Sequence, residues 1–217
     1  MTTETSPRAR GEKAREERVR RRRREILQAA ARLMEESGYH AVSMQAVAEQ
    51  AEISVGLIYT YFGNKEDLLR AVIVDILEDF QERVPAAIEG AGTDPVDRLF
   101  RGFQEFCRVI DAKLDATVLA YRESQTLDVE GRRQLMELEI RTAAPIKQAV
   151  VDGIAQGVFR DVDPDLVTHN IALIAHGWAL KHWNLAGRFS VEDYVEREFE
   201  LLLAAITAEK GPGERRS

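Results

Sequence analysis

Apolar positions recur along this chain at helical spacing. Ile26, Leu27, Ala30, Leu33 and Met34 fall at i, i+1, i+4, i+7 and i+8, a stripe that Gly38 closes. Val47, Ala48 and Ala51 form the inward face of a short helix that Ser43 can cap, its hydroxyl taking the orphan N–H groups of Met44 to Ala46. The chain turns around Glu52, Ile53 points back into the core, and Ser54 caps a second short helix running to about Phe62. Gly63-Asn64 breaks that helix, and Asn64 caps another at Lys65, which Leu68, Leu69, Val72, Ile73, Ile76, Leu77 and Phe80 carry to about Ala87, with Pro85 ending or bending it. Asp94-Pro95 and Asp163-Pro164 each open a helix with a capping carboxylate and a proline at its first position. The first carries Val96, Leu99, Phe100, Phe103, Phe106, Cys107 and Ile110, and Leu114 to Tyr121 continues helical. Asp128 caps a segment to about Gln156, with Leu135, Leu138, Ile146, Val150 and Ile154 on one side and Pro145 as a kink. From Leu166 to Leu180 the chain is apolar nearly all round, so that helix must be buried on more than one side. Ser190 and Asp193 make a capping box for the last helix, to about Ala208, with Tyr194, Phe199, Leu202, Leu203 and Ile206 inward. The pattern predicts an all-α chain.

Within the second short helix the wheel places Ile58 and Phe62 on the buried side, within about 40° of each other. Gly56 and Thr60 fall opposite, flanked by Leu57, Tyr59 and Tyr61. Such a face suits a major groove: Gly56 permits close approach, Thr60 and Leu57 can touch base edges or thymine methyls, and the tyrosine hydroxyls can reach phosphates. Lys65 adds a charge at the groove's edge. The competing reading is three ordinary packed helices with two exposed tyrosines.

The stretch from Ile53 to Leu69, ISVGLIYTYFGNKEDLL, resembles the helix-turn-helix signature of the TetR/AcrR family of transcriptional regulators. The close match covers about the first third of the chain, and length and helix pattern extend it loosely to the rest. The resemblance implies DNA contacts from Ser43 and Gln45 on the first helix of the motif. It implies further contacts from Val55, Gly56, Leu57, Tyr59, Thr60, Tyr61 and Lys65 on the recognition helix and the cap after it. One departure is Glu52, where the motif commonly has Gly. A non-Gly residue there sits in a left-handed conformation and brings a carboxylate near the DNA side. The implied organisation is a disordered basic arm over 1–17, a three-helix helix-turn-helix domain over 18–70, a helical ligand-binding and dimerisation domain over 71–209, and a disordered tail over 210–217. The helices beginning near Pro164 and Val191 look like half of a four-helix interface between two copies, the alternative being a deep monomeric core.

Charge sharpens this picture. The net charge of −7 is unevenly spread: residues 1–24 hold ten Lys or Arg against four Glu, which leaves an acidic body with one basic end. That balance argues against a protein coating nucleic acid all over and fits a local contact. The run Arg18 and Arg20 to Arg24 is either a phosphate-seeking arm or a solvated helix end. No apolar run reaches membrane-spanning length, and the polar, arginine-rich N-terminus lacks a secretory h-region. The lone Cys107 forms no internal disulfide, and the cytoplasm is the natural compartment.

For a small-molecule effector the candidates are Phe80, Phe103, Phe106, Cys107, Tyr121, Arg122 and Trp178, residues that either line an apolar cavity or pack a core. Arg122-Glu123 either reaches a ligand's polar group or pairs at the surface. The run Ala120 to Leu127, with Trp178-Ala179-Leu180 and His182-Trp183, is similar to TetR members governing acyl-CoA catabolism. That resemblance implies an acyl-CoA effector with its carboxylate or ester near Arg122; hydrophobic drugs or aromatic metabolites are the rival class. His169, His176 and His182 lack the i, i+4 pairing of helical metal sites and are expected in the core or an interface. No nucleophile elbow, phosphate loop or cysteine cluster appears, so neither a cofactor nor catalysis is expected. The expectation is therefore a dimeric repressor on a pseudo-palindromic double-stranded operator, with half-sites about 34–36 Å apart, released by a small molecule. A helical enzyme and a nonspecific architectural DNA binder are the readings from other classes.

Overall fold

The computed structural model describes residues 7–208, and among these the regular elements are helices, the one sheet-like pairing being an isolated bridge between Phe159 and Thr207. Two compact units divide between Val72 and Ile73. The first contains α1 (Pro7–Ser37), a 3-10 turn (Tyr39–Ala41), α2 (Met44–Gln50), α3 (Val55–Phe62) and the start of α4 (Lys65–Gly90). Ile26, Leu27, Ala30 and Met34 of α1 meet Val47, Ala48, Ile58, Phe62, Leu68 and Leu69 in its core.

The helix α1 begins at Pro7, inside the span 1–17 expected as a disordered arm. Arg, Ala and Glu are strong helix formers, and Arg21 and Arg22 each reach Glu25 one turn on, at 3.7 and 2.9 Å. Residues 1–6 of the expected arm and the expected tail at 210–217 lie outside the described residues.

The second unit holds the rest of α4, then α5 (Pro95–Ala112), α6 (Leu114–Glu123), a 3-10 turn (Ser124–Thr126), α7 (Val129–Ala155), α8 (Pro164–Leu180), the single turn α9 (His182–Leu185) and α10 (Val191–Ile206). Local capping decides where these begin. Asp94 and Asp163 each accept two backbone N–H bonds, Asp128 accepts one from Gly131, and Ser190 forms a reciprocal box with Asp193. α5 lies at the centre, packed on α7, α8 and α10, with Leu99, Phe103, Phe106, Cys107 and Ile110 buried along it. α4 and α7 both run on through their prolines, Pro85 and Pro145, so each proline removes a main-chain bond without ending its helix.

Ion pairs fix α4 within this unit. Lys113, at the break between α5 and α6, places Nζ 2.6 Å from Asp75 and 2.7 Å from Asp79, and donates to the Asp75 carbonyl at 2.8 Å. One helical turn further, Arg83 meets Glu105 of α5 at 2.6 Å. Asp75 and Asp79 are i, i+4 neighbours whose charges repel, and the shared ammonium offsets that repulsion on a largely buried surface. Lys113→Met is expected to lower the unfolding free energy by about 2–4 kcal/mol, read from urea denaturation. Adding Asp75→Asn and Asp79→Asn to that chain should restore most of the loss, because the uncompensated charges are then gone.

Candidate DNA interface and effector site

The turn between α2 and α3 is built from backbone bonds that glutamate would not ordinarily permit. Glu52 N–H donates to the Glu49 carbonyl at 3.1 Å and Ile53 N–H to the Ala48 carbonyl at 2.9 Å, the paired bonds of a Schellman ending. Glu52 occupies its left-handed position with φ 53°, and is the one non-glycine residue with positive φ among the described residues. Ser43 Oγ accepts from Ala46 N–H at 3.1 Å to start α2, and Ser54 Oγ accepts from Leu57 N–H at 3.3 Å to start α3. Both ends of the turn are thereby satisfied, which holds α2 and α3 in a defined relation.

α3 buries Ile58 and Phe62 and turns Val55, Gly56, Leu57, Tyr59 and Thr60 outward, Tyr59 being half exposed. Tyr61 is partly covered and lies against Phe62. A Cβ at Gly56 would meet nothing within 4 Å, so no contact within the fold demands a glycine there. Thr60 donates its hydroxyl proton to the Gly56 carbonyl at 2.9 Å. Its oxygen lone pairs and methyl group remain outward, able to accept from a base amino group or touch a thymine methyl. On α2, exposed Gln45 donates to Glu49 at 3.0 Å, and Ser43 is exposed beside it.

Lys65, for which the resemblance implied a DNA contact, is engaged within the fold. Its Nζ donates to the carbonyls of Tyr39, His40 and Val42 at 3.0, 3.2 and 3.0 Å and stands over the Tyr39 ring at 4.6 Å. All three ammonium donors are directed at backbone oxygens, so here the side chain ties the segment after α1 to the start of α4.

Six of the seven effector candidates fall into two groups, and Arg122 stands apart from both. Phe103, Cys107 and Trp178 are core residues: Phe103 lies along Phe199, the Trp178 indole donates to Asp111 at 2.7 Å, and burial pushes the Cys107 thiol pKa up, with Glu198 and Asp111 adding to it. Phe80, Phe106 and Tyr121 are drawn into one aromatic chain by a residue that the sequence placed only in the core or an interface. Phe80 stacks on Phe106 with centroids 4.1 Å apart, Phe106 meets the His176 ring edge-on at 5.6 Å, and the Tyr121 hydroxyl is 3.0 Å from His176 Nδ1. These four residues come from α4, α5, α8 and α6. Burial lowers the His176 pKa from 6.5 to about 4, so the imidazole is neutral near pH 7. Tyr121 is 45% exposed, and Arg122, next along α6, is exposed.

α8 covers only one of its sides within the chain, although apolar residues surround it. Val167, Ile171, Ala175 and Trp178 are buried, whereas Leu166 and Leu173 on α8, Trp183 on α9 and Leu201 on α10 are exposed, Trp183 by 81%. Among the described residues no helix is long and apolar enough to cross a membrane.

Two measurements test this geometry. Glu52→Gly should be stabilising by up to about 1 kcal/mol, since it removes the left-handed penalty of an L side chain, and should tighten DNA binding at low salt by removing a carboxylate from the turn. Thermal melting and anisotropy at two salt concentrations read the two effects. For His176, the unfolded chain takes up a proton near pH 6.5 and the folded chain only near 4. Acidification between those values therefore favours unfolding. The stability difference between pH 7 and pH 4.5 should be smaller in His176→Phe than in the parent protein, as measured by urea midpoints.

Residues 26–72 match the family described as bacterial regulatory proteins, tetR family, and residues 92–206 match the tetracyclin repressor-like C-terminal domain. The HTH-type transcriptional regulator HbdR of Aromatoleum sp. (strain CIB) is 39% identical over 193 residues, spanning 89% of this chain and 84% of that one. Among solved structures, the TetR family regulator PfmR from Thermus thermophilus has a TM-score of 0.74 at 26% identity, over 82% of this chain and 97% of its own. AibR in complex with isovaleryl coenzyme A and operator DNA has a TM-score of 0.71 at 25% identity, over 84% of this chain and 98% of its own. Regulators of this type bind operator DNA and small-molecule effectors and act as dimers. Matches to both domains and to a regulator over nearly the whole length place the chain in the TetR family of bacterial transcriptional regulators, as a DNA-binding protein and not an enzyme.

Proposed function

We propose that this regulator represses transcription by binding a pseudo-palindromic operator as a homodimer, and that an acyl-CoA thioester releases it. The outward face of α3 is the observation that carries the DNA part, because Gly56 and its neighbours have no packing role that would explain them. Val55, Gly56, Leu57 and Thr60 read base edges, Ser43, Gln45, Tyr59 and Tyr61 reach the backbone, and Lys65 acts by holding the turn. The exposed apolar residues of α8 and α10 form the face that a second copy covers, which sets two recognition helices about 34–36 Å apart on successive major grooves.

The effector class is supported by AibR, solved with isovaleryl coenzyme A, and by the aromatic chain Phe80, Phe106, His176 and Tyr121 in the second unit. Exposed Arg122 carries the positive charge that a CoA phosphate attracts. The effector acts only through its differential affinity for two states of the dimer, about 1–3 kcal/mol in typical cases, and α4 is the chain's covalent route between the units.

Fluorescence anisotropy tests this on DNA from the gene's own upstream region and on scrambled DNA, at two salt concentrations. Isovaleryl-CoA, benzoyl-CoA, palmitoyl-CoA and a hydrophobic dye such as rhodamine 6G are then added. The expected result is tight, sequence-dependent binding that one of the thioesters releases. Release by the dye alone would instead make this a sensor of hydrophobic drugs, and equal affinity for both DNAs would make it an architectural binder.

A further inference from the structure

The pair formed by Tyr121 and His176 has an unusual proton inventory. A neutral phenol and a neutral imidazole carry one exchangeable proton each, and their mutual hydrogen bond at 3.0 Å uses one. If the phenol donates to Nδ1, then Nε2 bears the second proton. If Nδ1–H donates to the phenol, the tyrosine hydroxyl proton is the one left over. In either arrangement one donor meets no protein acceptor among the described residues.

The pair is also held in place and reachable. The edge of the imidazole is fixed against Phe106 at 5.6 Å and 73°, and against the Tyr121 ring at 5.2 Å and 69°. Phe106 in turn is stacked on Phe80. Tyr121, at 45% exposure, opens the pair to solvent on one side. Its charge state is settled by its surroundings: burial keeps His176 neutral, with its pKa at about 4, and burial together with the Glu139 carboxylate raises the Tyr121 pKa. The pair therefore stays uncharged near neutral pH.

We propose that Tyr121 and His176 together form a neutral hydrogen-bonding site for an uncharged carbonyl oxygen, the thioester carbonyl of the effector, in preference to a free carboxylate. This rests on the acyl-CoA reading above. It separates the two chemistries that an acyl ligand offers: the acid and its thioester share their apolar part but differ in charge at the atom this pair would bind.

The experiment compares isovaleryl-CoA, benzoyl-CoA and palmitoyl-CoA with thioether counterparts in which a methylene replaces the carbonyl, namely S-(3-methylbutyl)-, S-benzyl- and S-hexadecyl-CoA, and with the three free acids. Calorimetry gives each affinity in the parent protein and in the double variant Tyr121→Phe/His176→Phe. The thioester that binds tightest should exceed its thioether about fivefold to tenfold, the worth of one neutral hydrogen bond, and exceed its free acid. In the double variant, which leaves neither donor, the thioester-to-thioether ratio should fall to within about twofold. Taking the ratio within each protein removes any general loss of affinity caused by the substitutions. As a measurement without a variant, the ¹⁵N resonances of His176 in the parent protein should shift with the thioester and stay put with the thioether. Equal binding of thioester and thioether, an unchanged ratio in the double variant, or tighter binding of the free acid would overturn the carbonyl site while leaving an acyl-CoA effector intact. If none of the CoA compounds binds, the effector reading itself fails, and this proposal with it.

Discussion

A single ammonium group holds the first unit's reading surface in register. Lys65 Nζ donates to the carbonyls of Tyr39, His40 and Val42, groups left over where α1 ends and the chain crosses to α2. Carbonyls at such a crossing have no helical partner, and leaving them unpaired away from water costs about as much as a lost hydrogen bond each. Because Lys65 is also the first residue of α4, the same bonds connect the segment before α2 with the helix after α3. α2 and α3 are thus bracketed from both sides. The outward residues of α3 gain their fixed geometry from a side chain that does not itself face outward.

Capping was legible in the sequence because it is local. Ser43, Ser54, Asp94, Asp128, Asp163 and Ser190 all find their N–H partners within three residues, so residue type and spacing suffice to place them. Glu52 was legible for the same reason, since the Schellman turn closes within a few residues and forces a positive φ on whatever stands there. The Lys65 contacts span 23 to 26 residues and the Tyr121–His176 bond spans 55. No periodicity reports which polar groups two separate helices bring within 3 Å of each other. A wheel gives the face of a helix, and partners across a core depend on how helices cross. The start of α1 also escaped local reading, since Pro7 and Gly11 count against a helix while the Arg, Ala and Glu between and after them favour one.

The phenylalanines show why an aromatic-rich helix does not by itself specify a ligand site. Phe103 and Phe106 both lie on α5 and are both almost fully buried. Phe103 packs along Phe199 of α10. Phe106 touches the imidazole of His176, whose other neighbour is a half-exposed phenol. Recognition needs a polar group with unspent hydrogen-bonding capacity as well as an apolar wall, and the second phenylalanine adjoins one. In the proposed effector site, His176 is the residue that links Phe80, Phe106 and Tyr121.

The energies involved are matched in scale. A neutral hydrogen bond is worth about 0.5–1.5 kcal/mol net, and coupling between effector and DNA sites typically amounts to about 1–3 kcal/mol. One hydrogen bond made in only one of two states can therefore supply a large share of a regulatory response. The ion pairs at Lys113 and Arg83 set the opposing condition, because they hold α4 to α5 and α6 through contacts that no effector needs to touch. A helix gripped in this way moves as a unit with its partners or stays in place, and packed, ion-paired interfaces favour discrete arrangements over gradual bending. Tyr121 lies on α6, the helix that begins right after Lys113. A ligand that draws on Tyr121 and His176 at once therefore acts on the relation of α6 to α8, and α6 begins directly after Lys113, the residue that pairs with Asp75 and Asp79 of α4.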